Sequence, residues 1–316
     1  MTQTPTAAAP LRGIFVPLVT PFTEDGSHIE AAALEQLAHQ VLRDGAAGLV
    51  ALGTTAEAAA LSPDERREVV AVCARVCREH GARLIVGAGT NDTAGTAAAL
   101  SALGGGPGPL PDAALVAVPP FVRPSEDGVV AHFAHAAEHS PVPLVVYHVP
   151  YRTGRALSVE TLRRLAEIPG VVGIKHAVGA VDADTVDLLG EPPEGFAVLA
   201  GDDVFAGALF ALGAAGGILA SAHVATSSFV DLHAAWGAGD VARARGLGAD
   251  LARLSAALFA EPNPTVVKGV LHALGHIPSP AVRLPLLRAG ARSVEVALDA
   301  LERVDTRETE RPGFAA

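Results

Sequence analysis

A closed (β/α)8 barrel with a C-terminal helical extension is the fold class that this 316-residue sequence predicts. Three observations lead there. Eight short apolar runs rich in β-branched residues recur along the chain, each spacer between them is long enough for one crossover helix, and nothing long interrupts the alternation. Crossover connections make neighbouring strands parallel, and near-continuous apolar runs suit a sheet covered on both faces. Eight consecutive units favour closure over an open doubly wound sheet, because closure removes both edges.

The runs are GIFVPLV (13–19), GLVAL (48–52), RLIVGA (83–88), ALVAV (114–118), PLVVY (143–147), VVGIK (171–175), FAVLA (196–200) and GGILA (216–220). Each gives way to a turn rich in Gly, Pro or Thr and then to an alanine-rich helical stretch. Residues 1–12 read as a flexible tail and 13–236 as the barrel. Residues 237–305 read as the extension, with helical stretches at 240–260, 264–274 and 291–304, and 306–316 as a second tail. GGGPGPLP (104–111) lies between a helix and the next strand, hence on the bottom face, and reads as a tolerated insertion.

Half of the residues are hydrophobic and the net charge is -11, a soluble globular composition that argues against nucleic acid or an anionic membrane surface as partner. An acidic ligand would have to be met by a few local positive groups. Cys73 and Cys77 stand four apart with no second pair to complete a zinc site, so they read as small buried helix residues in a reducing cytoplasm. The opening MTQTPTAAAP lacks the basic start and apolar core of a signal peptide, and no apolar run reaches about 18 residues. A cytoplasmic location without a membrane anchor is the expectation. His132, His135 and His139 share one helical face, read as solvated rather than metal-binding, and Gly213, Gly216 and Gly217 read as allowing a tight turn.

Of 23 Lys plus Arg, only Lys175 and Lys268 are lysine. Function in such barrels collects where strands end, and Lys175 closes the sixth run. Alternation puts Val171, Gly173 and Lys175 on one face; if that face is inward, Gly173 clears space beneath the amine. The same argument turns Pro143, Val145 and Tyr147 inward on the fifth run, so a lysine and a tyrosine face one cavity. Desolvating an ammonium is costly, and it lowers the pKa from about 10.4 towards the nucleophilic form. A neutral amine attacks a ketone to form a Schiff base, which arginine cannot do. From spacing alone, a lysine paired with a carboxylate at a strand end is the other reading. Lys268 belongs to no strand end and reads as structural or interfacial.

GTTAE (53–57), YHVPYRTG (147–154), GIKHA (173–177), GDD (201–203) and FAEPNPTVVK (259–268) resemble, in order and spacing, the dihydrodipicolinate synthase and N-acetylneuraminate lyase superfamily, and look closest to its dihydrodipicolinate synthases. The resemblance runs from IFVPLVTPF (14–22) to VRLPLL (282–287). It implies that Lys175 forms the imine with pyruvate and that Tyr147 relays protons, with Thr54 linking two tyrosines of that relay. It further implies that Thr55 cradles the pyruvate carboxylate, that Arg152 holds the carboxylate of the second substrate, and that the Ile218 carbonyl lies near the reacting centre. No cofactor and no metal are implied, since the covalent lysine imine carries the chemistry. The resemblance also implies pyruvate and an aldehyde as substrates, aspartate semialdehyde in the synthases, and a homotetramer built as a dimer of dimers.

The sequence departs from that pattern where the second substrate would lie. Phe121 in PPFVRP (119–124) stands where the relay expects a tyrosine donated across a dimer interface, and a phenyl ring cannot pass a proton. Ala56, His148, Tyr151 and His176 replace glycine, asparagine, a small residue and glutamate. Tyr151 brings a hydroxyl beside Arg152 that is a candidate replacement for what Phe121 lacks. His148 and His176 point towards the helices by alternation. Two other readings stay open: a 2-keto-3-deoxy or 4-hydroxy-2-oxo acid aldolase or sugar-acid dehydratase, and a 2-oxo-acid-binding barrel without turnover.

Overall fold

The computed structural model describes residues 10–105 and 110–309. Residues 1–9 and 310–316 of the two expected tails, and 106–109 of GGGPGPLP, lie outside the described residues. Eight strands close in sequence order: β1 (Gly13–Pro17), β2 (Gly48–Ala51), β3 (Arg83–Gly87), β4 (Ala113–Ala117), β5 (Leu144–His148), β6 (Val171–His176), β7 (Ala197–Ala200) and β8 (Gly216–Ile218). Every neighbouring pair is parallel, and β1 pairs with both β2 and β8. The strands are shorter than several of the apolar runs, whose last residues turn into the βα loops.

Between and after the strands run α1 (Ala31–Arg43), α2 (Pro63–His80), α3 (Thr93–Ala102), α4 (Glu126–Glu138), α5 (Pro150–Thr153), α6 (Val159–Ala166), α7 (Ala183–Gly190), α8 (Ala206–Ala211) and α9 (Thr226–Gly237). The extension consists of α10 (Val241–Leu258), α11 (Thr265–Ala273) and α12 (Ala291–Thr309), the last reaching four residues into the stretch expected to be a tail. Local chemistry sets the starts. Ser62 opens α2 with a full capping box closed by Glu65, and Asp92, Ser125, Ser158, Asp182 and Asp240 each accept a backbone N–H at the start of α3, α4, α6, α7 and α10.

Two apolar cores result from the alternation of side chains along the strands. The inner one fills the barrel with Phe15, Val50, Ile85, Leu115, Val145, Leu199 and Ile218, and Leu11 from the chain's start joins it. The outer one lies between strands and helices and holds Cys73 and Cys77, both free and buried. His132 departs from the solvated face expected for it. It is 4% exposed, with Nδ1 3.0 Å from the Thr93 hydroxyl, because its side of α4 meets α3. His135 and His139 are exposed as expected, and their ligand atoms and those of Glu138 lie within 4.8 Å of one another. No helix among the described residues is long and apolar enough to cross a membrane.

Barrel closure depends on the seam between β8 and β1. Three residue pairs make it, and a methyl group on Gly216 would overlap the Gly13 carbonyl. Gly216 therefore serves close strand approach, where the sequence suggested only a turn. Gly216→Ala should destabilise the fold by about 3 kcal/mol or more in urea unfolding. Gly237→Ala at the end of α9, where an added methyl meets nothing within 4 Å, should leave the midpoint unchanged or slightly raised. Equal midpoints for the two variants would refute the role of the seam.

Candidate active site

Lys175 and Tyr147 are register neighbours near the C-terminal ends of β6 and β5. The lysine Nζ lies 4.4 Å from the centre of the tyrosine ring, and each residue is 8% exposed. The inward face of β6 differs from simple alternation. Leu144 pairs with Val171 but Val145 pairs with Gly173, so a bulge inserts one residue. Val171 consequently packs in the outer core and Val172 against the inner one, the reverse of their expected placement. The expected role of Gly173 also shifts. A methyl there would meet the Ala197 carbonyl at 2.6 Å, so this glycine serves strand approach; it is Gly201 that clears the lysine stem, whose Cγ lies 2.8 Å from the position of an added methyl.

Burial pushes the Lys175 amine down to about 8, against the pull of the Asp203 carboxylate. Roughly one molecule in ten then carries a neutral amine at pH 7, against one in a few thousand for a free lysine. Burial likewise raises Asp203 to about 6, although its Oδ2 accepts the Ser221 N–H at 2.5 Å. It raises the Tyr147 phenol to about 12, with the Arg152 guanidinium pulling the other way, so this hydroxyl stays protonated at neutral pH. The Thr54 side chain also acts on that phenol in the lowering direction.

Thr54 and Thr55 lie in a tight turn after β2, Thr54 exposed and Thr55 buried. The Thr55 hydroxyl accepts a hydrogen bond from Asn263 Nδ2 at 2.9 Å. Ile218 is the last residue of β8 and fully buried. Arg152 and Tyr151 share the short helix α5, both exposed, and Arg152 Nε donates to the Tyr151 hydroxyl at 2.9 Å. Phe121 sits apart in the β4–α4 loop, 81% exposed with φ +68°. Asp202, whose Oδ2 accepts the Gly179 N–H at 2.5 Å, also acts electrostatically on Lys175 and Arg152. Asp202, Asp203 and Asn263 received no role from the sequence; two adjacent carboxylates closing the seventh run were the available signal for the first two.

His148 and His176 do face the helices. His148 Nε2 accepts the Leu157 N–H at 3.2 Å, and His176 Nε2 lies 2.8 Å from the Thr185 hydroxyl. Lys268 is structural: fully buried, with Nζ 2.5 Å from Glu57 Oε1.

A closed parallel barrel with a desolvated lysine at its strand ends defines the class of the protein, a barrel whose strand-end face is equipped for amine chemistry. The sequence profile of the Dihydrodipicolinate synthetase family matches residues 10–301. A 4-hydroxy-tetrahydrodipicolinate synthase of Laribacter hongkongensis is 40% identical, with 92% of this chain and 98% of that protein aligned. The dihydrodipicolinate synthase of Acinetobacter baumannii, solved in complex with pyruvate, is 35% identical over 93% of this chain and 99% of its own, with a TM-score of 0.86. A monomeric dihydrodipicolinate synthase variant matches at 32% identity and the same TM-score, over 93% and 97% of the two chains. The chain belongs to the dihydrodipicolinate synthetase family.

The buried histidines make stability depend on acid. Burial depresses His148 to about 3 and His223 to about 4, and it lowers His176 as well. The unfolded chain binds protons near pH 6.5 that these rings refuse, so their contribution is present above that pH and lost as pH falls towards their folded values. Each ring lowers the folding constant by up to about tenfold per pH unit in that window. His148→Asn should therefore flatten the fall of the urea midpoint between pH 6.5 and 4; an unchanged slope would exclude a neutral buried ring at this position.

Proposed function

We propose that the protein condenses pyruvate with aspartate semialdehyde through an imine on Lys175, yielding 4-hydroxy-tetrahydrodipicolinate. The observation that carries this reading is a desolvated amine beside a protonated phenol at the end of adjacent strands. Neutral Nζ attacks C2 of pyruvate, and loss of water leaves the imine. Tyr147, linked to Thr54, relays protons in that dehydration and in removal of a methyl proton, which gives the enamine. The enamine carbon attacks the aldehyde carbon, forming the new C–C bond, and the adduct's own amine then displaces Lys175 by closing the ring. The cycle needs no cofactor or metal, because the imine itself serves as the electron sink.

Thr55 is assigned to the pyruvate carboxylate and Ile218 to the wall beside the reacting carbon. Arg152 is assigned to the carboxylate of the aldehyde, for which a planar fork is suited. Its Nε bond to Tyr151 leaves the tyrosine's own proton free to donate, which supports Tyr151 as the hydroxyl compensating for Phe121. An assembly of tight dimers paired into a tetramer, in the cytoplasm, completes the proposal.

Two measurements test it. Borohydride treatment with pyruvate should add one pyruvate-derived mass to the wild type and none to folded Lys175→Ala, with trapping rising up to about pH 8 as the amine deprotonates. Absence of a wild-type adduct would favour a binding barrel without turnover. Arg152→Lys should raise KM for aspartate semialdehyde at least about tenfold while leaving pyruvate unaffected, since one ammonium cannot replace a bidentate fork. An unchanged KM would direct attention to aldehydes without a carboxylate and to the aldolase or dehydratase reading.

A further inference from the structure

Three polar groups of the C-terminal extension reach the loop that carries Thr54 and Thr55. Asn263, just before α11, donates through Nδ2 to Thr55 Oγ1 at 2.9 Å across 208 residues of sequence. Two positions after Thr55, Glu57 adopts left-handed backbone angles with φ +53°, which a non-glycine residue holds only when its surroundings fix it. They do so from both carboxylate oxygens. Oε1 meets Lys268 Nζ at 2.5 Å, and Oε2 accepts the Arg283 N–H at 2.8 Å. Lys268 is fully buried, also donates to the Ala281 carbonyl at 2.8 Å, and stands 4.1 Å above the Phe22 ring. Arg283 in turn donates to the Ala60 carbonyl at 3.0 Å and forks onto Glu65.

The direction of the Asn263 bond has a chemical consequence. A threonine hydroxyl has one proton and two lone pairs. With an amide N–H occupying a lone pair, the proton stays available for another acceptor, and donation into an oxygen strengthens that oxygen's own O–H as a donor. We propose that Asn263, backed by the buried Lys268–Glu57 pair, is a positioning group for the carboxylate of the 2-oxo acid: it turns the Thr55 proton towards the cavity and holds the loop that presents it. Asn263 and Lys268 act only through this loop. The inference rests on the assignment of Thr55 to that carboxylate.

The test is a pyruvate titration of borohydride trapping, read by intact mass, on wild type, Asn263→Ala and Asn263→Asp, with steady-state constants for the aldehyde alongside. Asn263→Ala should raise half-saturating pyruvate about tenfold. Asn263→Asp, nearly identical in shape, should raise it further, because its carboxylate takes the Thr55 proton and repels an anion. The aldehyde constant and the thermal midpoint should stay near wild type. A filler of space would show the opposite order, with Asp milder than Ala. If wild type traps pyruvate and folded Asn263→Asp or Asn263→Ala traps it at the same concentrations, the positioning role is overturned while the imine stands. If wild type traps none, the imine assignment falls and this role with it. Lys268→Met combined with Glu57→Gln removes both buried charges together, so neither is left unpaired. It should shift pyruvate in the same direction, and an unshifted folded double variant overturns the part given to the ion pair.

Discussion

The desolvation of one amine governs how the rest of this structure is arranged. An ammonium taken out of water is destabilised unless charges and hydrogen bonds replace its hydration, and the free energy that remains uncompensated appears as a lowered pKa. Here closure of the parallel sheet supplies the dry interior, Gly201 admits the lysine stem, and the Tyr147 ring covers the ammonium. The buried Asp203 carboxylate limits the shift, so that the amine is poised near neutrality instead of being neutral throughout. Loss of any one of these would alter the proton inventory of the site before it altered its shape.

Barrel and extension are joined at the same place. The β2–α2 loop that carries Thr55 consists of two short 3-10 turns either side of a left-handed glutamate. Besides Thr20 and Arg66, which donate to the Ala56 and Ala58 carbonyls, it is held by residues more than two hundred positions away, through one amide, one buried ammonium and one guanidinium. The C-terminal helices therefore complete the strand-end face of the barrel, although they contribute no strand.

The sequence displayed what repeats locally and what is rare. Eight apolar runs with helical spacers made the barrel legible, and a chain with two lysines drew attention to Lys175. Simple alternation gives the wrong faces for Val171 and Val172 because a bulge breaks the two-residue period of β6, and no composition signal accompanies that break. His132 looked solvated because its spacing matched His135 and His139, while the neighbour that buries it, α3, is set by tertiary packing. Asn263 lies within FAEPNPTVVK, but a single amide has no periodicity and its partner Thr55 is remote, so the sequence assigns it no role. Asp203 was hidden for a similar reason: a carboxylate at a strand end reads as solvated until the loop that covers it is known.

The scarcity of lysine has a consequence for the exterior. Both lysine side chains are inside, at 8% and 0% exposure, so the side-chain cations on the outer surface are guanidinium groups, with histidines as the titratable remainder. Guanidinium keeps its charge to beyond about pH 12, so the positive part of the surface field persists through the alkaline range where lysine-coated proteins lose theirs. Among side chains, a small acylating reagent finds one partly reachable amine, the one at the barrel mouth. Chemistry that ordinarily decorates a protein's surface becomes, on this molecule, a count of vacant reaction centres.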